Sequence, residues 1–210
     1  MKNRLCPLPL AFFALISIPM VSARSQTVIT FDDLSVTSTG LAIASIPNGY
    51  QSLTWSNMDV VNAVREATLN GTNGGYYGMV SPSNVALNAF GGSAEIDAQG
   101  TNFDFLSTYL TGVWNSNLNI EVEGFRSGTL LYDTTVVASA TSPTLFTFDY
   151  SDIDRLYFSS FGGQPAYTPV PEYEFVMDNM TIEFVPEPSS LLLAAFGGVS
   201  LVTLLRRKRA

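Results

Sequence analysis

Residues 117–138 read NLNIEVEGFRSGTLLYDTTVVA. Leu118, Ile120 and Val122 point one way, while Asn119, Glu121 and Glu123 point the other. Strict alternation over this length is the signature of a strand with one buried face. A second β-rich run, 129–138, follows after Arg126-Ser127-Gly128, so strands 117–125 and 129–138 form a hairpin around that turn. The same pattern recurs elsewhere. Phe103 and Phe105 flank Asp104, and Met180, Ile182 and Phe184 alternate with Thr181, Glu183 and Val185. Turn signals separate the runs, among them Pro47-Asn48-Gly49, Asn70-Gly71, Gly91-Gly92 and Gly162-Gly163. No window of 11 or more residues holds a 3.6-residue period.

Strands are predicted over 27–31, 52–55, 58–63, 76–80, 93–97, 102–106, 109–114, 117–125, 129–138, 144–149, 155–161 and 174–184. Short strands spaced by roughly 8–12 residues indicate an all-β sandwich. Ser151-Asp152-Ile153-Asp154 reads as a tight connection, and residues 162–173 as a longer Pro-rich loop.

The two ends differ from this middle. Lys2 and Arg4 precede an apolar stretch, Leu8 to Met20, and Val21-Ser22-Ala23 offers small residues. This order predicts a signal peptide over residues 1–23, removed by signal peptidase after Ala23. The single cysteine, Cys6, lies inside it. The exported chain then has no disulfide, no Cys metal site and no Cys nucleophile. At the other end, Pro186-Glu187-Pro188 precedes an uncharged stretch, Ser189 to Leu205, closed by Arg206, Arg207, Lys208 and Arg209. As a helix, 17 such residues reach roughly 25 Å, the short end of what spans a bilayer. The basic cluster places that end in the cytoplasm. The domains expected are 1–23, an ectodomain over 24–185, and 186–210, with a transmembrane helix over 189–205 and a basic tail over 206–209.

Charge is lopsided. Between residues 24 and 188 only Arg24, Arg65, Arg126 and Arg155 are basic, against all 18 acidic residues, four positive charges against eighteen negative, or −14. Nucleic acid is a poor partner for such a surface. Calcium or neutral sugars fit better, and acidity that only maintains solubility fits as well. The chain has no histidine, which removes the Ser-His-Asp triad and the commonest general acid/base. Paired carboxylates could run a glycosidase, and Glu121 and Glu123 share one strand face, as any solvent-facing pair would. No P-loop, G-x-S-x-G or G-x-G-x-x-G is present. The reading is therefore not an enzyme.

Sugars stack on exposed rings, and Trp55, Trp114, Tyr76, Tyr77 and Tyr109 are the candidates. The polar loop 70–77 (NGTNGGYY) ends in two tyrosines and is the preferred carbohydrate site, with Trp55 as a further platform. Packing within the sandwich is the alternative role for these rings. Asn70-Gly71-Thr72 and Asn179-Met180-Thr181 match glycosylation sequons by chance.

The order Pro-Glu-Pro, apolar stretch, Arg-rich end over the last 25 residues resembles the PEP-CTERM sorting signal of Gram-negative bacteria. The resemblance implies recognition by exosortase, a membrane-embedded processing enzyme. It also implies removal or transfer at the motif, and delivery to the cell surface or extracellular matrix, where exopolysaccharide is a partner. Ile29-Thr30-Phe31-Asp32-Asp33-Leu34, Tyr50 to Asn57 and Phe175 to Ile182 are similar to jelly-roll ectodomains attached to such tails. That similarity implies an antiparallel jelly-roll-like β-sandwich with its first and last strands close together. Asp32, Asp33, Asp178 and Asn179 would then meet and could supply oxygen ligands to a structural calcium. Turn and strand-end hydrogen bonding is the alternative. The Asp149, Asp152, Asp154 group is a second metal option that reads more simply as a turn. The function expected is a structural or adhesive surface domain, with a carbohydrate-binding module as the alternative and a glycosidase as a remote one.

Overall fold

Alternation over residues 118–138 becomes a two-residue hairpin. Ser127 and Gly128 both take positive φ, 48° and 78°, the geometry whose twist matches the flanking strands. The computed structural model describes residues 25–36, 43–70, 75–166 and 172–185. In chain order its strands are β1 Gln26–Ile29, β2 Ile43–Ser45, β3 Thr54–Ser56, β4 Met58–Asn62, β5 Asn84–Asn88, β6 Ala94–Asp97 and β7 Phe103–Gly112. They continue with β8 Asn115–Ser116, β9 Leu118–Arg126, β10 Thr129–Ala138, β11 Thr144–Ile153, β12 Arg155–Phe161, β13 Gln164–Pro165 and β14 Phe175–Phe184. One helix, α1 Ala63–Asn70, follows β4.

The strands form two main antiparallel sheets. The larger runs β11-β7-β14-β5-β4-β2, with β1 also on β14. The smaller runs β10-β9-β12-β6-β3, and β13 and β8 make a short separate pair. The chain is thus an all-β antiparallel sandwich. β14 is the hub of the larger sheet. It pairs with β7 along one flank. On the other flank Val176 and Met177 face β5, and Met180 onward faces β1. The register shifts between Asp178 and Thr181, where Asn179 has φ 49°. This β-bulge lets one strand serve two neighbours on the same side.

The core lies between the sheets. Leu118, Ile120, Val122, Leu156 and Phe158 come from the smaller one; Phe103, Phe105, Phe175, Met177 and Ile182 come from the larger. Phe105 is central. It stacks on Phe148 at 4.8 Å and meets Tyr150 and Phe158 edge-on. Tyr132 stacks on Tyr150 at 4.5 Å. Gly124 sits beneath them because a Cβ there would come 2.9 Å from the Tyr150 ring. A smaller cluster, including Val61, Ala63, Val85, Leu87, Val113 and Val176, joins Tyr76 and Trp114 on the other side of the larger sheet.

Several expectations are corrected. Residues 76–80 are not a strand. A 3-10 turn over Gly75–Tyr77 replaces it, and its first residue approaches the Gly112 backbone so closely that a Cβ there would fall 1.9 Å from the Gly112 carbonyl oxygen. The strand is instead β5, whose five residues are all buried. With both faces covered, it shows no alternation to read. Segments 102–106 and 109–114 join as β7, because Ser107 and Thr108 pair inside the sheet rather than turning. The short α1 and β2 were not expected. Residues 1–23, the predicted span 189–205, the Pro186-Glu187-Pro188 motif and the basic tail lie outside the described residues. Among the described residues no helix is long and apolar enough to cross a membrane.

Phe105→Ala should lower stability by about 3–5 kcal/mol through the cavity it leaves. Urea denaturation of the variant against the wild type measures this; a loss below about 1 kcal/mol would contradict a core centred on this ring.

Candidate functional site

One end of the sandwich is organised by a buried carboxylate. Glu174, just before β14, is 5% exposed. Its Oε2 accepts from the Tyr76 hydroxyl at 3.0 Å and from Trp114 Nε1 at 2.7 Å. The Phe90 backbone N–H also bonds to the carboxylate. Burial pushes this carboxyl above the ordinary glutamate range, Glu172 adds to the rise, and the three donors oppose it. The Tyr76 hydroxyl is raised in turn, first by burial and then by the Glu174 charge. Tyr76 meets Trp114 edge-on at 5.5 Å. Tyr76 is thus half-buried and pinned, while its neighbour Tyr77 is 56% exposed.

Two further exposed rings adjoin this hub. Phe90 is 86% exposed and left-handed, with φ 53° and ψ 30°, a conformation that costs energy for a bulky residue. The backbone beside it packs on Tyr173. At Gly91, with φ 64°, a Cβ would lie 2.7 Å from the Tyr173 nitrogen. Asn88 ties the region together. Its Oδ1 accepts from the Phe175 N–H at 2.6 Å, and its Nδ2 donates to the Gly92 carbonyl and to Ser160 Oγ. Of the loop 70–77, residues 71–74 lie outside the described residues.

The expected third sugar platform, Trp55, is instead a core residue. It is 5% exposed, donates through Nε1 to the Tyr50 carbonyl at 3.0 Å and packs edge-on against Phe31. Its amphipathic ring is satisfied internally, leaving no face for a ligand. Tyr109 is half-buried on β7 opposite Asp178.

The proposed calcium ligands are near one another in the chain fold but not convergent. β1 does lie against β14, with Ile29 opposite Met180. Each carboxylate, however, takes separate protein donors. Asp32 accepts from the Asn84 N–H at 2.9 Å and Asp33 from the Tyr50 hydroxyl at 2.6 Å. Asp178, fully buried, accepts from the N–H groups of Val80, Ser81 and Asn179 and from Ser81 Oγ, at 2.6, 2.8, 2.7 and 3.0 Å. Burial raises this carboxyl and its four hydrogen bonds offset the rise. Of these four residues, Asn179 alone has a side-chain oxygen buried without a hydrogen-bond partner among the described residues. Among the described residues no group of three or more acidic side chains is placed to hold a metal ion. The four residues do not assemble as one cage; Asp178 is a latch on the segment leading into β5. In the second group, Asp152 pairs with Arg126 and accepts from Asn102, and Asp154 accepts from the Ser127 N–H. These are turn contacts.

The outer face of the smaller sheet holds an open groove lined by Glu95, Glu123, Phe125, Arg155 and Tyr157. The Arg155 guanidinium lies 4.6 Å above the Phe125 ring and 3.5 Å from the Glu95 carboxylate. Glu121 and Glu123 share this face, and Glu121 accepts from Ser159 Oγ at 2.9 Å. The sequence did not single out this groove. Its signal was available in the outward positions of β9, where Phe125 follows two glutamates.

Two measurements test these assignments. A carboxyl raised in the folded state binds its proton more tightly there, so the folded protein gains stability as pH falls through that raised value and loses it above. Acidification from pH 7 toward the ordinary glutamate value of 4.5 should therefore stabilise the wild type more than Glu174→Gln, read as the difference in Tm between the two pH values. The same dependence in both proteins would remove Glu174 from this role. For the latch, Asp178→Ala should cost about 2–4 kcal/mol by stranding buried N–H groups, equally with and without EDTA. A wild-type Tm that falls in EDTA alone would return the metal reading.

Comparison with known proteins adds one clear finding. The PEP-CTERM protein-sorting motif matches residues 184–209. No curated protein matches the chain. Among solved structures, TmCBM61 in complex with β-1,4-galactotriose aligns over 65% of this chain and 93% of its own, at 10% identity and a TM-score of 0.37. The N-terminal CBM22-1–GH10 modules of the Clostridium thermocellum endo-1,4-β-D-xylanase 10B, complexed with xylohexaose, align over 51% of this chain and 23% of theirs. There the identity is 12% and the TM-score 0.28. Neither overlap is close enough to bear on the ligand of this sandwich. The chain carries a PEP-CTERM protein-sorting motif, and that motif begins at the last residue of β14.

Proposed function

We propose that this protein is exported, processed by exosortase at Pro186-Glu187-Pro188, and displayed at the cell surface or in the extracellular matrix. There it serves as a non-catalytic, adhesive jelly-roll-like domain. The observation that carries this reading is the sorting motif at 184–209. It directly follows a self-contained sandwich, so removing the tail takes away no described strand apart from its overlap at Phe184. Glu121 and Glu123 lie two residues apart on the same face of one strand. That arrangement favours a binding or structural role over a glycosidase, whose two carboxyls flank a scissile bond.

Carbohydrate recognition is the second reading. It is favoured by exposed Tyr77, Phe90 and Tyr173 around the Glu174 hub, rings that a folded core leaves uncovered. The left-handed Phe90 in particular is held at a cost that its own packing does not explain.

Replacing Pro186-Glu187-Pro188 by three alanines should leave the protein uncleaved in the inner membrane. Intact mass and cell fractionation read this directly: the wild type should end near the motif and lie outside that membrane. Normal processing of the variant would overturn the sorting role.

A further inference from the structure

We propose that the outer face of the five-stranded sheet binds a saccharide chain bearing protonated amino groups, in the groove formed by Glu95, Glu123, Phe125, Arg155 and Tyr157. The proposal deepens the adhesive reading above by naming the ligand class, and relies on it only for where the ligand is met.

The groove has a volume of about 250 Å³ and is built on strands, so its side chains are held by a rigid scaffold. Registers place Asp133, Glu123, Tyr157 and Glu95 in one row across β10, β9, β12 and β6. Adjacent strands lie about 4.8 Å apart, so carboxylates flank the tyrosine one strand away on either side. Arg155, backed by the Phe125 ring and paired with Glu95, forms a wall.

The charge is unbalanced. Asp133 stands directly opposite Glu123, an arrangement that destabilises a sheet when nothing relieves it. Burial raises the Glu123 carboxyl, and the Glu121 and Asp133 charges raise it further, against the opposing pull of Arg155. Cations on a ligand would relieve this crowding. A single metal ion would not suffice, because no three acidic groups among the described residues gather at one point. Charges spread along a chain match charges spread across strands.

Geometry also separates a saccharide from a basic peptide. An extended peptide docks by adding a strand at a sheet edge. β9, β12 and β6 are each paired on both sides, so the groove offers no edge. It offers a tyrosine ring for sugar C–H faces, carboxylates for ammonium and hydroxyl groups, and Ser159 and Thr135 on the neighbouring row.

The test is calorimetric titration of the processed protein, purified from its own cells, with β-1,4-linked glucosamine hexamer, its N-acetylated counterpart and polylysine. The glucosamine hexamer should bind at least about tenfold more tightly than the other two, a gap of ~1.4 kcal/mol. Tyr157→Ala and the isosteric Glu123→Gln should each weaken it at least about fivefold, and Leu145→Ala, exposed on β11 of the other sheet, should leave it unchanged. Equal binding of the acetylated hexamer, equal binding of polylysine, no binding of any probe, or full affinity in both groove variants would each overturn the proposal. Because processing is read separately by mass, a failed titration leaves the sorting reading intact. An unprocessed chain that still binds glucosamine would remove only the latter.

Discussion

A single strand must serve neighbours of different origin on one flank, and the Asp178–Asn179 bulge is what permits it. β5 occupies the first part of that flank and β1 the second. Where they hand over, the Asp178 carboxylate captures the N–H groups of Val80 and Ser81, and Asp32 captures that of Asn84. A buried charge is tolerable only when fully hydrogen-bonded. The bonds that satisfy it also fix where β5 begins, and with it the β5–β4–β2 side of the sheet. Thr108 adds a further tie by donating to the Asp178 carbonyl at 3.1 Å.

Around that joint the molecule holds itself without disulfides, since Cys6 is the only cysteine. Stability comes from aromatic packing between the sheets and from backbone packing at glycines. Gly75 and Gly91 let strands and loops approach so closely that no side chain fits. Negative charge stays mainly on outer faces and loops, while Glu66, Asp104, Glu174 and Asp178 are buried among the described residues. Glu174 and Asp178 each organise a loop end through their donors, and Asp104 on β7 accepts from the Asp152 N–H.

The sequence was most legible where burial is one-sided. β9 alternates because one face meets the core and the other solvent, and the hairpin turn follows from Ser127 and Gly128. β5 was hidden because Asn84, Val85, Ala86, Leu87 and Asn88 are all covered, which erases the period. Tyr76-Tyr77-Gly78-Met79-Val80 looked like a strand because aromatic and β-branched content does not register the steric demand of Gly75. The site was less legible still. Whether an aspartate binds a metal or a backbone N–H depends on which loop reaches it, and Val80 lies 98 residues from Asp178. Composition makes Trp55 a candidate platform, and only the fold shows that Tyr50 and Phe31 cover it. Glu174 did leave a trace: an acidic residue directly ahead of the apolar Phe175-Val176-Met177 run needs donors if it is to be buried.

The position of β14 has a mechanical consequence. Chain beyond Val185 is attached to the strand with partners along both flanks, not to an edge strand. Tension applied there along the strand axis would load the hydrogen bonds to β7, β5 and β1 together in shear, whereas an edge strand would have the ladder of one neighbour alone to resist it. A domain tethered through this end would pass drag into the centre of its larger sheet rather than to an edge.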